Sequence, residues 1–207
     1  AAHGQSVLVL PCDLADETQI GGMVAAVLAR YGTIHVLVNN AGGPPPGPSA
    51  RLTEADWQRA FQLTLMSAVR TTSAVLPAMR AQRWGRIVNV SSYSVKQPIP
   101  DLMLSNSLRL AVAGWAKTLA AEVAPDNVLV NTVAPGWTLT DRVGQMLVAR
   151  AAQRQGDEAA VAAEILAQVP LARFADPAEI ADVIVFLASQ RASYLTGTVL
   201  PVDGGIV

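Results

Sequence analysis

A single cysteine, Cys12, excludes an internal disulfide and a thiolate metal cluster, and so thiol-poor a chain fits a reducing compartment, the cytoplasm. Long apolar runs are missing as well. Val7–Leu10 and Val183–Ala188 are the kind present, far short of the roughly 20 residues that span a bilayer, so no membrane association is expected. Ala1–Leu10 lacks the charged start and cleavage region of a signal peptide. Charge is sparse and balanced, 15 basic against 16 acidic residues for a net −1, and no basic run offers a footprint for nucleic acid or an anionic membrane. No metal site is expected.

What is present is a globular interior: 51% of the 207 residues are hydrophobic, enough for one domain spanning 1–207. Apolar strands are expected at Val7–Leu10, Ile34–Val38, Ile87–Val90, Val128–Val133 and Thr198–Val202. Between them come helices from about Glu17 to Tyr31 behind an Asp16 cap, from Thr53 towards Met79, from Met103 to Ala124, and from Pro177 to Ala188. A polar helical insertion covers roughly 141–169 and reads as a mobile cover over the strand ends. Strands that are apolar throughout and alternate with helices imply a parallel sheet covered on both faces, an α/β doubly wound fold. Such sheets bind ligands beyond the carboxyl ends of their strands, where Asp13, Asn39-Asn40, Ser91-Ser92 and Pro135-Gly136 fall.

Four spaced motifs, Asn39-Asn40-Ala41-Gly42, Ile87 to Ser92, Asn131 with Pro135 to Thr140, and Val202-Asp203-Gly204-Gly205, together resemble the short-chain dehydrogenase/reductase family, in its oxoacyl-carrier-protein-reductase-like branch. The resemblance implies a Rossmann-like fold, an NAD or NADP cofactor and a carbonyl or alcohol substrate. It places cofactor contacts on Asp13 and Leu14, on Asn40, Ala41 and Gly42, and on Pro135, Gly136, Thr138 and Thr140. Asp13 by itself reads equally as a helix cap, and Asn39-Asn40 as turn residues. The resemblance also implies a homodimer or homotetramer, built through helices such as 103–124, whose Ala111, Ala113, Gly114, Ala116 and Ala120 permit close contact.

Of the family's catalytic groups, Ser92 matches the serine that orients the carbonyl. The others depart: Ser105, thirteen residues after Ser92, stands where the family has tyrosine, Arg109 where it has lysine, and Thr64 where it has asparagine. Ser92, Ser105 and Arg109 are the candidate catalytic residues, with Arg109 also a candidate ribose ligand. A serine hydroxyl is shorter and far less acidic than a phenol, and a guanidinium holds anions and hydroxyls but does not release its proton. Tyr93, directly after Ser92, would point to the opposite face if the strand continued. Lys96 lies in the adjoining loop, within possible reach of Ser92, although lysines are mostly solvated.

No Gly-x-x-x-Gly-x-Gly or Gly-x-Gly-x-x-Gly separates a strand from a helix, and Gly42 to Gly47 is too rich in proline to cradle a pyrophosphate. The family's first β-α-β segment is therefore expected to be missing, and the chain, which starts at Ala1, reads as a fragment. Two alternatives stay open. One is a serine hydrolase using Ser92 or Ser105, disfavoured because His3 and His35 are the only histidines and His35 starts a strand. The other is a non-catalytic partner subunit. Ile99, Leu102, Met103, Trp137, Met146 and Leu147 suggest a pocket for an apolar substrate.

Overall fold

The computed structural model describes residues 7–154 and 156–207. Four strands, β1 (Val36–Asn39), β2 (Gly85–Val90), β3 (Val128–Pro135) and β4 (Val199–Val202), form one parallel sheet in the order β1-β2-β3-β4. β2 and β3 lie inside the sheet and are buried on both faces except at their last residue, which is why their sequences carry no polar alternation. Neighbouring residues divide between two cores. Ile87 packs with Val24, Val75, Met79, Ala116 and Val130 on one face, and Val88 with Val133, Ile180 and Leu187 on the other.

The first core is closed by α1 (Glu17–Tyr31), α3 (Ser67–Ala81) and α4 (Met103–Val123), the second by α7 (Pro177–Ala188). Asp16 caps α1 through the amides of Thr18 and Gln19, as its sequence implied. On α4, Ala113, Ala116 and Ala120 are buried, whereas Leu110, Ala111 and Gly114 face outward.

Thr53 begins α2 (Glu54–Phe61) with a reciprocal capping box: its Oγ1 accepts from the Asp56 amide while Asp56 Oδ2 accepts from the Thr53 amide. Thr53→Ala removes the acceptor for that first-turn amide, and the melting temperature should fall by about 2–4 °C. A Ser replacement keeps the acceptor and should melt with the wild type. Between α2 and α3 the helix widens into a π turn over Gln62–Met66, with the Ser67 hydroxyl donating to the Leu63 carbonyl. That turn carries the buried Thr64.

Two expectations fail here. Val7–Leu10 is not a strand: it joins no ladder among the described residues, and Val7 and Val9 are 68% and 82% exposed. An apolar tetrapeptide becomes a strand only where a neighbour supplies its hydrogen bonds. The insertion is two helices, α5 (Asp141–Gln153) and α6 (Glu158–Leu166), with a core of their own formed by Leu147, Ala151, Val161 and Ile165, against which Trp137 and Met146 pack. Trp137, Met146 and Leu147 turn to that core, and none of them lines the groove formed by Ile99 and Met103. Ile99 and Met103 do line an open groove, with Pro48, Pro98 and Asn106. Leu102 bridges to Gly47 beside it.

No described helix is long and apolar enough to cross a membrane.

Candidate active site

All four strands end at the same side, so Asn40–Gly42, Ser91-Ser92, Gly136–Thr140 and Asp203 emerge together. A narrow cleft opens there, lined by Asn39, Ala41, Thr64, Ser67, Ala68, Asn89, Val90, Ser91, Arg109 and Val112.

Asn39 anchors its floor. Its Nδ2 donates to Asn89 Oδ1 (2.9 Å) and to Thr72 Oγ1 (3.2 Å), and its Oδ1 accepts from Thr71 Oγ1 (2.7 Å). Asn39 and Asn89 are paired across adjacent strands, so this network fixes the direction in which Asn40, Ala41 and Gly42 leave the sheet. A Cβ at Gly42 would meet nothing within 4 Å. The backbone there is open to a ligand.

Arg109 extends from α4 to the end of β2. Its Nη1 donates to the carbonyls of Val90 (3.1 Å) and Ser91 (2.9 Å), and its Nε donates to Ser105 Oγ (3.2 Å). Nη2 has no acceptor among the described residues. The i, i+4 spacing puts Ser105 and Arg109 on one face of α4, and the guanidinium thereby clamps hydroxyl and strand end together.

Burial, with the nearby charge of Arg142 as the lesser cause, lowers the Arg109 pKa to about 10. Between about pH 10 and the ordinary guanidinium range the unfolded chain keeps a proton that the folded chain sheds. The charge thus weighs on the folded state in full below about pH 10, and that penalty is relieved as the pH rises above it. Urea unfolding at about pH 8 and about pH 11 should show the wild type gaining stability relative to Arg109→Gln at the higher pH. An identical difference at both values contradicts it.

Ser92 Oγ accepts from the Ser94 amide (3.1 Å), which leaves its own O–H to donate elsewhere. Ser105 Oγ, filled by Arg109 Nε, is likewise left as a donor. These engagements oppose a nucleophilic role: no base is bonded to either hydroxyl among the described residues, and Ser105 sits against a cation. His35 packs edge-on against Trp84, 5.8 Å between ring centroids, at the amino-terminal end of β1. His3 lies outside the described residues. Lys96 is exposed and makes no hydrogen bond to Ser92 among the described residues.

β2 ends at Val90, and the chain turns at Tyr93–Val95 instead of continuing, so Tyr93 does not take the opposite face. It is buried against Trp137, 6.4 Å between ring centroids, and burial raises its pKa.

Among the other candidates, Thr140 caps α5 through the Val143 amide, Thr138 Oγ1 donates to the Gly136 carbonyl, and Pro135-Gly136 closes β3 against β4. Asp13 Oδ1 accepts from the Ala15 amide, and neither Asp13 nor Leu14 lines the cleft. Asn89 and Ser91, which belong to the Ile87 to Ser92 motif but were given no individual role from sequence, line it beside Arg109. Asn89 Nδ2, Ser91 Oγ and Thr64 Oγ1 are buried with no partner, an arrangement that favours an incoming polar ligand or water. The signal for them was their place at the carboxyl end of β2.

A family described as enoyl-(acyl carrier protein) reductase matches residues 1–207. The chain is 38% identical over 195 residues to a 3-oxoacyl-[acyl-carrier-protein] reductase of Thermotoga maritima, spanning 94% of this chain and 75% of that one. With the corresponding reductase of Aquifex aeolicus it shares 35% identity, over 99% of this chain and 76% of that one. Among solved structures, L-sorbose reductase from Gluconobacter frateurii in complex with NADPH and L-sorbose superposes with a TM-score of 0.94 at 32% identity, over 100% of this chain and 79% of that one.

Proposed function

The chain belongs to the short-chain dehydrogenase/reductase family, and from that membership we propose that it is an NAD(P)-dependent oxidoreductase of small carbonyl or alcohol substrates, working with an altered catalytic set. The observation that carries the reading is the Arg109 clamp. A guanidinium bonded to Val90 O, Ser91 O and Ser105 Oγ, with Nη2 left over, holds the end of β2 and presents a donor to the cleft.

The residues present fit the nicotinamide-ribose half of a dinucleotide. Gly42 leaves its backbone open, and Ser91, Thr64 and Asn89 offer unpartnered polar atoms nearby. Arg109, Asn40, Ala41 and Gly42 would hold that half, with Pro135, Gly136, Thr138 and Thr140 along its other side and Asp13 and Leu14 towards its adenine. No described residues form a glycine-rich turn that would cradle the pyrophosphate. When bound, the cofactor supplies or accepts the hydride.

The chain's own residues then act on the carbonyl oxygen. The Ser92 O–H, with its acceptor side filled by the Ser94 amide, donates to that oxygen and fixes its direction. Ser105 supplies a second hydroxyl whose acceptor side is filled by Arg109, so both serines approach as donors. Arg109 keeps its proton and stabilises developing negative charge. The proton that completes the alcohol comes from water through these hydroxyls, since an aliphatic hydroxyl does not release one near neutral pH without receiving another. We further propose one domain over 1–207, a cytoplasmic location and a homodimer or homotetramer, with the outward Leu110 and Ala111 face of α4 as one contact.

The test is carbonyl-dependent consumption of NADPH or NADH by the purified chain across short-chain ketones and keto acids. Turnover with either nucleotide supports the reading. Tight nucleotide binding without turnover of any carbonyl, or of the corresponding alcohols in reverse, favours a partner subunit.

A further inference from the structure

Between the two hydroxyl donors, Ser92 and Ser105, the chain makes the short turn Tyr93–Val95, runs through 96–102 outside helix and strand, and enters the first turn of α4. That stretch is pinned from both ends. Asn106, the residue after Ser105, grips Ile99 by both backbone polar groups: its Nδ2 donates to the Ile99 carbonyl (2.8 Å), and its Oδ1 accepts from the Ile99 amide (3.4 Å). The Gly47 amide, from the loop after β1, donates to the Asp101 carbonyl (2.6 Å), and Leu102 bridges to Gly47. Asp101 sits in left-handed backbone, φ 61°, which a residue other than glycine keeps only where its surroundings over-determine it.

Pro98, Ile99 and Pro100 of that stretch line the open groove together with Pro48, Met103 and Asn106. Three of those six side chains are proline rings, already locked in conformation, and Ile99 is buried, so the wall needs little ordering when a ligand enters. Asp101, which is exposed, is the one charged residue lining it among the described residues. Met103 and Asn106 flank Ser105 on the first turn of α4, while Ser105 itself bonds to Arg109 at the cleft. A carbonyl whose oxygen meets the Ser105 hydroxyl therefore has this groove beside it.

We propose that the groove takes the apolar arm of the substrate and that Asn106 is the positioning residue that sets its wall, selecting an unbranched, uncharged chain of several carbons next to the reacting carbonyl. This rests on the proposed reductase reading and narrows its substrate class. The prolines, Ile99 and Met103 give such a chain surface on which to bury its methylenes, and Asp101 repels an arm that ends in a carboxylate. Without the Asn106 amide the Ile99 carbonyl keeps the Leu102 amide (3.3 Å) alone, and the wall is released from α4.

The full chain is tested with methyl ethyl ketone and methyl hexyl ketone in the wild type and in Asn106→Ala. One readout is the methyl resonance of Met103 in protein labelled on its methionine methyl groups, which reports on the groove without turnover. The other is kcat/KM with NADPH or NADH. Methyl hexyl ketone should shift the Met103 resonance and saturate it with an affinity at least about tenfold above that of methyl ethyl ketone, and kcat/KM should favour it by a similar factor. Asn106→Ala should cut both ratios by about fivefold or more, whereas a general loss of folding would lower both ketones alike. Asp101→Asn removes the charge and tolerates the left-handed backbone, so it should raise kcat/KM for levulinate relative to methyl propyl ketone, its uncharged counterpart of equal length, by about threefold.

A Met103 resonance indifferent to methyl hexyl ketone, or ketone ratios unchanged by Asn106→Ala, overturns the proposal. Should the ketones be consumed in that case, the reductase reading survives without it. Should the Met103 resonance saturate in an Asn106-dependent way while no carbonyl is turned over with either nucleotide, the reductase reading fails, and the groove and the hold of Asn106 on it stand.

Discussion

Replacing Ser92 by alanine is expected to lower kcat/KM for carbonyl reduction by about a hundredfold, with dinucleotide affinity unchanged. The Ser92 hydroxyl accepts from the Ser94 amide, so its hydrogen is free to meet a carbonyl oxygen, and alanine deletes that donor where negative charge develops. Alanine also leaves the Ser94 amide without its acceptor, and some thermal stability is lost for that reason. Ser92→Thr separates the two effects. Threonine keeps both the acceptor and the donor and should recover most of the stability and a substantial part of the rate, whereas the Ser105→Ala change should cost less. Equal kcat/KM in Ser92→Ala and the wild type would remove Ser92 from the chemistry.

The second large effect concerns how the site is held together. Gly136 follows β3 directly, and its amide donates to the Val202 carbonyl at the end of β4 (2.9 Å). A Cβ there would lie 2.5 Å from the Asp203 Cα and 2.9 Å from the Asp203 carbonyl oxygen, both backbone atoms that no rotamer change can move. Gly136→Ala must push β4 and the Asp203 turn away from β3. That turn is itself fixed, since the Asp203 carboxylate accepts from the amides of Gly205 and Val207. We expect a loss of about 3 kcal/mol, seen as a fall of about 6–12 °C in melting temperature. Gly42→Ala is the matched control: nothing lies within 4 Å of its Cβ, so it should melt with the wild type and act only on ligand binding. Equal melting temperatures for the two variants would contradict this account of Gly136.

The contrast between these two glycines shows what the sequence could and could not reveal. Both sit at strand ends in motifs legible from the chain alone, yet one is required by a close backbone approach and the other faces open space. Only the tertiary fold separates them. Local signals sufficed where the physics is local: the Asp16 cap and the Pro177 start placed α1 and α7 at their observed limits.

They failed where a distant partner decides. Val7–Leu10 has the composition of a buried strand but no ladder to join among the described residues. Trp137, Met146 and Leu147 have the apolar character of a pocket, and the helical pair α5 and α6 uses it for an internal core. In the site, the Ser105 and Arg109 pair was readable because i, i+4 spacing on a helix fixes a shared face. The hold of Arg142 on the loop carbonyls of Gly43 and Pro44 was not, because it joins residues almost a hundred positions apart. Asn89 and Ser91 were legible as members of a strand-end motif, but that their polar atoms are buried without partners appears only once Arg109 and Thr64 close around them.

The central claim is that this cleft holds a nicotinamide dinucleotide through Arg109. Calorimetric titration of the purified chain with NADPH and with NADH, in the wild type and in Arg109→Gln, tests it most directly. The expected result is binding of at least one nucleotide by the wild type, weakened by about tenfold or more in Arg109→Gln. The contradicting result is a wild type that binds neither nucleotide at about millimolar concentration, or that binds one with an affinity indifferent to Arg109.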